Sequence, residues 1–210
     1  MTGESRIPRA PAAPPALNTD ATDQAALAKQ ALRVALKQAR SAIDPATRVQ
    51  WDAAIGAQLL AWWRLRQFPA IGVYWPLAGE PDLRAAYAEL ADAGVRLALP
   101  VVLARDQALA FAEWTPGEAM ARDMLGMAVP GRLRMVERPP ALVIPCLGFS
   151  DEGYRVGYGG GYYDRTLAEP LAASLRPATV GVAYSGQRAV FSPAPFDVAL
   201  DVILTEKPPL

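Results

Sequence analysis

Residues 141–173 read ALVIPCLGFSDEGYRVGYGGGYYDRTLAEPLAA, and three kinds of backbone follow one another along them. Ala141–Phe149 is an apolar run suited to a buried strand, Asp151–Gly161 is a glycine-rich loop, and Tyr162–Ala173 reads as the helix into which the loop opens. The same alternation continues outward. Upstream, Gln24–Ile43 is helical, with Leu32, Leu36, Ala39 and Ile43 on one apolar stripe and Lys29, Arg33, Lys37 and Arg40 on a basic stripe beside it. Asp44-Pro45 starts a second helix, the carboxylate capping free amides and Pro at the first helical position, and this helix runs to about Gln67 with Trp62-Trp63 anchoring it. A short strand, Ile71–Trp75, and the loop Pro76–Pro81 lead to a third helix carrying Leu83, Ala86, Tyr87, Leu90 and Ala93, closed by Gly94. Val95–Leu103 reads as a strand broken at Pro100, Arg105-Asp106-Gln107 as a turn, Ala108–Trp114 as a strand, and residues 115–140 as irregular chain. Downstream, Thr179–Tyr184 and Val198–Thr205 are the last strands. Strands alternating with helices predict an α/β domain whose mainly parallel sheet lies between helical layers.

At 210 residues the chain has room for one domain, or one domain with a tail, at about 150 residues per domain. Residues 1–23 hold Pro8, Pro11, Pro14 and Pro15 among Ala, Thr and Asp, a composition that cannot offset its ordering entropy by burial. We expect a disordered Pro/Ala-rich tail over 1–23 and a single α/β domain over 24–210. Lys+Arg and Asp+Glu number 21 each, which removes the electrostatic argument for a nucleic-acid or anionic-membrane partner. No apolar run approaches the roughly 18 residues that span a bilayer. The absence of histidine excludes Ser-His-Asp, Cys-His and His-ligated zinc chemistry. The single cysteine, Cys146, excludes an intrachain disulfide and fits a cytoplasmic address.

The segment Gly157-Tyr158-Gly159-Gly160-Gly161-Tyr162-Tyr163-Asp164-Arg165 is the least ordinary in the chain. Glycines permit positive φ and close backbone approach, so several amides can converge on an anion, although a flexible turn has the same composition. It is neither a Walker loop nor a dinucleotide fingerprint. Asp164 either complements a helix dipole or holds a magnesium ion, which binds oxygen ligands and bridges to nucleotide phosphates. The basic stripe of the first helix is either a solvated face or, having few acidic partners at spacings of 3 or 4, a row facing phosphate; Arg155 can add a cation there. Glu80 stands at a strand-to-helix connection where α/β enzymes place ligand contacts, or else caps a helix. Tyr74, Trp75 and Trp114 offer flat walls for an aromatic ligand, or pack in the core.

Taken together these residues resemble the 5-formyltetrahydrofolate cyclo-ligase (methenyltetrahydrofolate synthetase) family over about Lys29 to Glu206. The elements that carry the likeness are Lys29-Gln30-Ala31-Leu32-Arg33, Tyr74-Trp75-Pro76-Leu77-Ala78-Gly79-Glu80 and the string Gly153 to Arg165. The resemblance implies a three-layer α/β/α sandwich with a mainly parallel mixed sheet, and the ATP- and Mg2+-dependent conversion of 5-formyltetrahydrofolate to 5,10-methenyltetrahydrofolate with release of ADP and phosphate. It implies that Lys29, Arg33, Arg155, Gly157, Tyr158, Gly159, Gly160, Gly161 and Tyr162 meet the nucleotide and that Asp164 holds the magnesium. Glu80, Tyr74, Trp114 and Tyr163 would then meet the folate, with Glu80, Arg155, Tyr163 and Asp164 as the catalytic set. Phosphoryl transfer relies on positioning and charge neutralisation, so a chain without histidine can perform it. The chain departs from the family pattern at Gly148-Phe149-Ser150, where Asp151 follows one position late, and at Phe196-Asp197, where many bacterial members read His-Asp. The expected protein is a monomer acting on 5-formyltetrahydrofolate and ATP, without a nucleic-acid or membrane partner. The competing readings are a non-catalytic folate- or nucleotide-binding module and an α/β phosphotransferase with another acceptor.

Overall fold

The computed structural model describes residues 19–169 and 176–208. Its first helix, α1 (Thr19–Ser41), begins inside the stretch expected to be tail. The last proline of that stretch is Pro15, so nothing breaks the Ala-rich helix beyond it; residues 1–18 lie outside the described residues. Helix α2 (Pro45–Arg66) starts as its sequence dictates, the Asp44 carboxylate accepting the Thr47 N–H at 3.0 Å with Pro45 in the first turn, and it ends on Gln67 in the left-handed region. Strand β1 (Ala70–Gly72), helix α3 (Arg84–Asp92) and strand β2 (Arg96–Val101) follow, with Gly94 at φ +88° just past the helix. The remaining elements are β3 (Ala110–Trp114), β4 (Met120–Arg122), β5 (Ala128–Pro130), β6 (Met135–Val136), β7 (Ala141–Pro145), β8 (Gly148–Phe149), β9 (Arg155–Val156), α4 (Tyr162–Ala168), β10 (Ala178–Val182) and β11 (Val202–Leu204). Helix α4 ends at Ala168, with Glu169 extended, short of the expected Ala173; residues 170–173 lie outside the described residues.

Seven strands form one sheet in the order β11-β10-β7-β1-β2-β3-β6, parallel from β11 to β2 and antiparallel at β3 and β6. Odd-numbered side chains such as Ile71, Val73, Leu97, Leu99, Ala141 and Val143 face one way and pack against Ile55 and Leu59 of α2 and Tyr87 and Leu90 of α3. Even-numbered Ala98, Leu142, Ile144 and Cys146 face the other way and pack against Leu167 of α4. The period-2 alternation of strands thus sorts a uniformly apolar sequence into two cores, and the fold is a three-layer α/β/α sandwich. Helix α1 lies over the carboxyl end of the sheet, where Leu36 packs with Leu147 and Val156.

Two expectations are corrected. Strand β2 runs through Pro100 without a break: the Ala98 carbonyl accepts from Val73 N at 2.8 Å, so even-numbered residues turn their backbone groups toward β1. Pro100 lies past the end of β1, where no strand needs its missing N–H. Residues 115–140 are not irregular but hold β4, β5 and β6, strands of two or three residues that are too short to show a period.

Candidate active site

The sheet changes direction of growth at β1, which has β2 on one side and β7 on the other. A cavity of about 380 Å³ opens beyond the carboxyl ends of these strands, the place where open α/β sheets bind ligands. Its lining is of two chemical kinds, apolar at Tyr74, Trp75, Pro100, Val102, Leu125 and Met127, and polar or charged at Lys29, Arg33, Arg155, the loop 157–161 and Asp164.

The chain leaving β1 folds back on itself. Glu80 N–H donates to the Leu77 carbonyl at 2.9 Å and Leu77 N–H to Glu80 Oε2 at 2.8 Å, with Gly79 at φ +81° making the turn. Tyr74 Oη donates to the Pro81 carbonyl at 2.6 Å. These bonds hold Glu80, only 4% exposed, at the cavity wall. Its other oxygen, Oε1, accepts from Tyr158 Oη at 2.5 Å, and the Tyr158 hydroxyl accepts in turn from Arg40 at 2.8 Å. Desolvation, then the Glu80 charge, push the Tyr158 phenol above its usual range, so it stays a donor.

Across the cavity the glycine loop has no regular structure; Gly159 (φ +100°) and Gly161 (φ +62°) take left-handed backbone that side chains resist. Arg33 Nε donates to the Gly157 carbonyl at 3.0 Å and its guanidinium lies against Gly159, which ties α1 to the loop. Lys29 pairs with Asp197 at 2.8 Å, and Arg155 of β9 with Asp164 of α4 at 2.7 Å. Burial works to raise the Asp197 carboxyl, but Lys29 and the Ala194 N–H outweigh it and hold the carboxyl below its usual range. Asp164 Oδ1 also accepts from Val198 N at 3.1 Å. The Tyr163 ring lies under Arg155, 6.0 Å from centroid to guanidinium carbon; desolvation, then the Glu80 charge, raise its phenol.

The structure therefore brings together Lys29, Arg33, Tyr74, Glu80, Arg155, Gly157, Tyr158, Gly159, Gly160, Gly161, Tyr162, Tyr163 and Asp164 around one cavity. Trp114 is not among its walls: 4% exposed, it stands behind Trp75 in a T-shaped contact with centroids 5.9 Å apart. The basic row of α1 is not one uniform face: Lys29 alone of the four cations pairs with a carboxylate among the described residues. Arg40 is buried, while Ala39 of the expected apolar stripe is exposed, and Lys29 finds its counter-ion 168 residues away. Sequence reasoning missed three participants. Asp197 left no local signal beyond its place after Phe196, which is 84% exposed. Arg40 was indistinguishable from its neighbours in the row. Asp123 accepts the Leu125 and Met127 N–H groups, each at 2.9 Å, and the Val102 N–H at 3.3 Å; it thereby sets Leu125 and Met127 against the cavity. The Asp123 to Gly126 turn was its only sequence trace. The departure at Ser150 is structural, its N–H donating to the Tyr154 carbonyl at 2.9 Å, while Asp151 pairs with Arg188 at the surface. Cys146 packs against Gly181 outside the cavity lining.

No three His, Cys, Asp or Glu side chains converge among the described residues, so an all-protein metal cage is absent there. A lone carboxylate is nevertheless the donor magnesium uses beside nucleotide phosphates and water, and Asp164 Oδ2 accepts no hydrogen bond among the described residues. Asp164 fits such an ion.

The model of the 5-formyltetrahydrofolate cyclo-ligase family matches residues 25–206. A 5-formyltetrahydrofolate cyclo-ligase of Mycoplasma pneumoniae is 40% identical over 65 residues, a stretch spanning 31% of this chain and 38% of that relative. One from Mycolicibacterium smegmatis is 29% identical over 190 residues, 85% of this chain and 94% of the relative. The solved structure of a 5,10-methenyltetrahydrofolate synthetase from Mycoplasma pneumoniae superposes with a TM-score of 0.70 at 27% identity, covering 85% of this chain and 99% of that one.

Proposed function

The chain belongs to the 5-formyltetrahydrofolate cyclo-ligase family, and from that premise we propose that it converts 5-formyltetrahydrofolate to 5,10-methenyltetrahydrofolate at the expense of ATP. The observation that carries the reading is the single cavity with a lining of two chemical kinds. Apolar and aromatic walls with the Glu80 carboxylate suit the flat, N–H-bearing pterin; glycine backbone with Lys29, Arg33 and Arg155 suits a triphosphate. The formyl oxygen attacks the γ-phosphorus and ADP leaves. Nitrogen 10 then closes on the activated carbon, giving up its proton, and phosphate departs to leave the methenyl bridge.

Every residue role here is one of placement and charge, as phosphoryl transfer requires. Arg33, the one lining cation without a carboxylate partner among the described residues, is free to meet phosphate; Lys29 and Arg155 exchange Asp197 and Asp164 for it. Backbone amides of 157–161 and the Tyr162 edge orient the triphosphate. Magnesium held at Asp164 would neutralise phosphate charge and orient the leaving group. Glu80 positions the pterin against Tyr74, and Tyr163 braces Arg155. Trp114 acts on the folate through Trp75, which it supports. The protein acts as a monomer in the cytoplasm with no nucleic-acid or membrane partner; the balance of 21 Lys+Arg against 21 Asp+Glu gives no electrostatic ground for a nucleic-acid or anionic-membrane partner.

The test is ultraviolet absorbance of the purified protein with 5-formyltetrahydrofolate, magnesium and ATP. A methenyl chromophore that grows only with ATP is the expected result. No chromophore, with calorimetry still detecting both ligands, makes the chain a binding module; failure to bind folate makes it a phosphotransferase for another acceptor.

A further inference from the structure

Of the four cations in the α1 row, Arg40 alone is buried, 5% exposed, and it does not line the cavity. One guanidinium nitrogen donates to Tyr158 Oη at 2.8 Å and reaches the Ala78 carbonyl at 3.5 Å; the other, Nη1, is buried with no partner among the described residues. A guanidinium buried with a donor unsatisfied weakens a fold unless its charge is compensated. Here the compensation is relayed. The Tyr158 hydroxyl accepts from Arg40 and donates its own hydrogen bond to Glu80 Oε1, 2.5 Å away, using a phenol's donor and acceptor together. The Tyr158 ring is further flanked by Lys37 Nζ and the Arg40 guanidinium carbon, 5.3 and 5.8 Å from its centroid.

This chain of bonds joins parts of the cavity that have separate tasks. Tyr158 stands between Gly157 and Gly159 in the loop given to the nucleotide, while Glu80 stands in the loop given to the folate. Resting on the function proposed above, we infer that Arg40 and Tyr158 are positioning residues that couple the two half-sites. Nucleotide seated on the glycine loop holds Tyr158 in the bond it already makes, and that bond keeps Glu80 in place for the pterin. Folate acts on nucleotide by the same bonds in reverse, since coupling between two binding sites is reciprocal.

The experiment is titration calorimetry on the full chain with 5-formyltetrahydrofolate and a non-hydrolysable ATP analogue. In the unmodified protein, saturating analogue tightens folate binding at least about fivefold, the lower end of usual coupling. Tyr158→Phe, which removes one hydroxyl from an exposed loop, brings the factor, the ratio of that variant's own folate Kd without and with analogue, below about twofold. Arg40→Met acts in the same direction and Arg40→Lys recovers part of the coupling. An undiminished factor in Tyr158→Phe overturns the inference, and so does independent binding in the unmodified protein. A lower melting temperature in the Arg40 variants with the factor intact shows a merely structural arginine, and also overturns it. Failure of the unmodified protein to bind either ligand alone would instead overturn the proposed function.

Discussion

Arg155 and Asp164 form a pair in which one partner is buried and the other lies at the cavity, so a substitution acts on fold and chemistry at once. Asp164→Ala leaves a buried guanidinium without its counter-ion; we expect a stability loss of about 3 kcal/mol by urea unfolding and a fall in turnover of about a hundredfold or more. Asp164→Asn keeps an acceptor for the Val198 N–H, so it should lose the turnover with less of the stability; full activity in the asparagine variant would reduce Asp164 to a structural ion partner. A second residue-scale expectation concerns Cys146, whose thiol burial raises from 9.0 to about 12. A raised thiol pKa means that the unfolded chain releases the proton first. Its stabilising contribution is therefore intact below pH 9 and is lost as pH climbs toward 12, by up to about 1.4 kcal/mol per unit. Urea unfolding at pH 8 and pH 10 should show this slope, and Cys146→Ala should lessen it, the raised phenols of tyrosines such as Tyr163 supplying the remainder; the same thiol should resist alkylation until denaturant is added.

The elements that hold the site are as sensitive as the site itself. Strand β1 is central, three residues long, and carries Gly72 where a Cβ would lie 2.5 Å from Leu142 Cδ2 and 3.1 Å from the Phe111 ring. Gly72→Ala overpacks this junction of β1, β7 and β3 and should cost about 1–3 kcal/mol, read as a lower urea midpoint at unchanged slope. An unchanged midpoint would mean that β1 and β7 separate more readily than their shared core implies. Element boundaries were legible where chemistry is local: Asp44-Pro45 named the start of α2, and Gly94 the end of α3. They were not legible where pairing partners decide. Whether β2 could run through Pro100 depended on β1 ending at Gly72, and whether 120–136 held strands depended on mutual pairing and on β3.

For the molecule as a whole, a cavity built from α1, the chain after β1, the β4–β5 turn and the glycine loop should be drawn together by its ligands. At one hundred times its Kd a ligand adds about 2.7 kcal/mol of stability. For a chain of this size that raises Tm by roughly 5–10 °C. Differential scanning fluorimetry with ATP and magnesium, and separately with 5-formyltetrahydrofolate, should show such shifts, and a shift for neither ligand would count against the assignment of both half-sites.

Composition and local chemistry by themselves determined what this protein is not, through its lack of histidine and its single cysteine. They also determined its alternating strands and helices, the capped start of α2 and the glycine string that resembles one family's loop. Those features are legible because each depends on a backbone angle, a cap or a residue type within a few positions. Only the tertiary structure decided which charges are neutralised and which side chains reach the cavity. Lys29 meets Asp197 from 168 residues away, Arg40 turns inward to Tyr158, and Trp114 stands behind Trp75. Ion pairing and burial are set by distances between remote segments, and a linear pattern does not contain those distances until the sheet has brought the segments together.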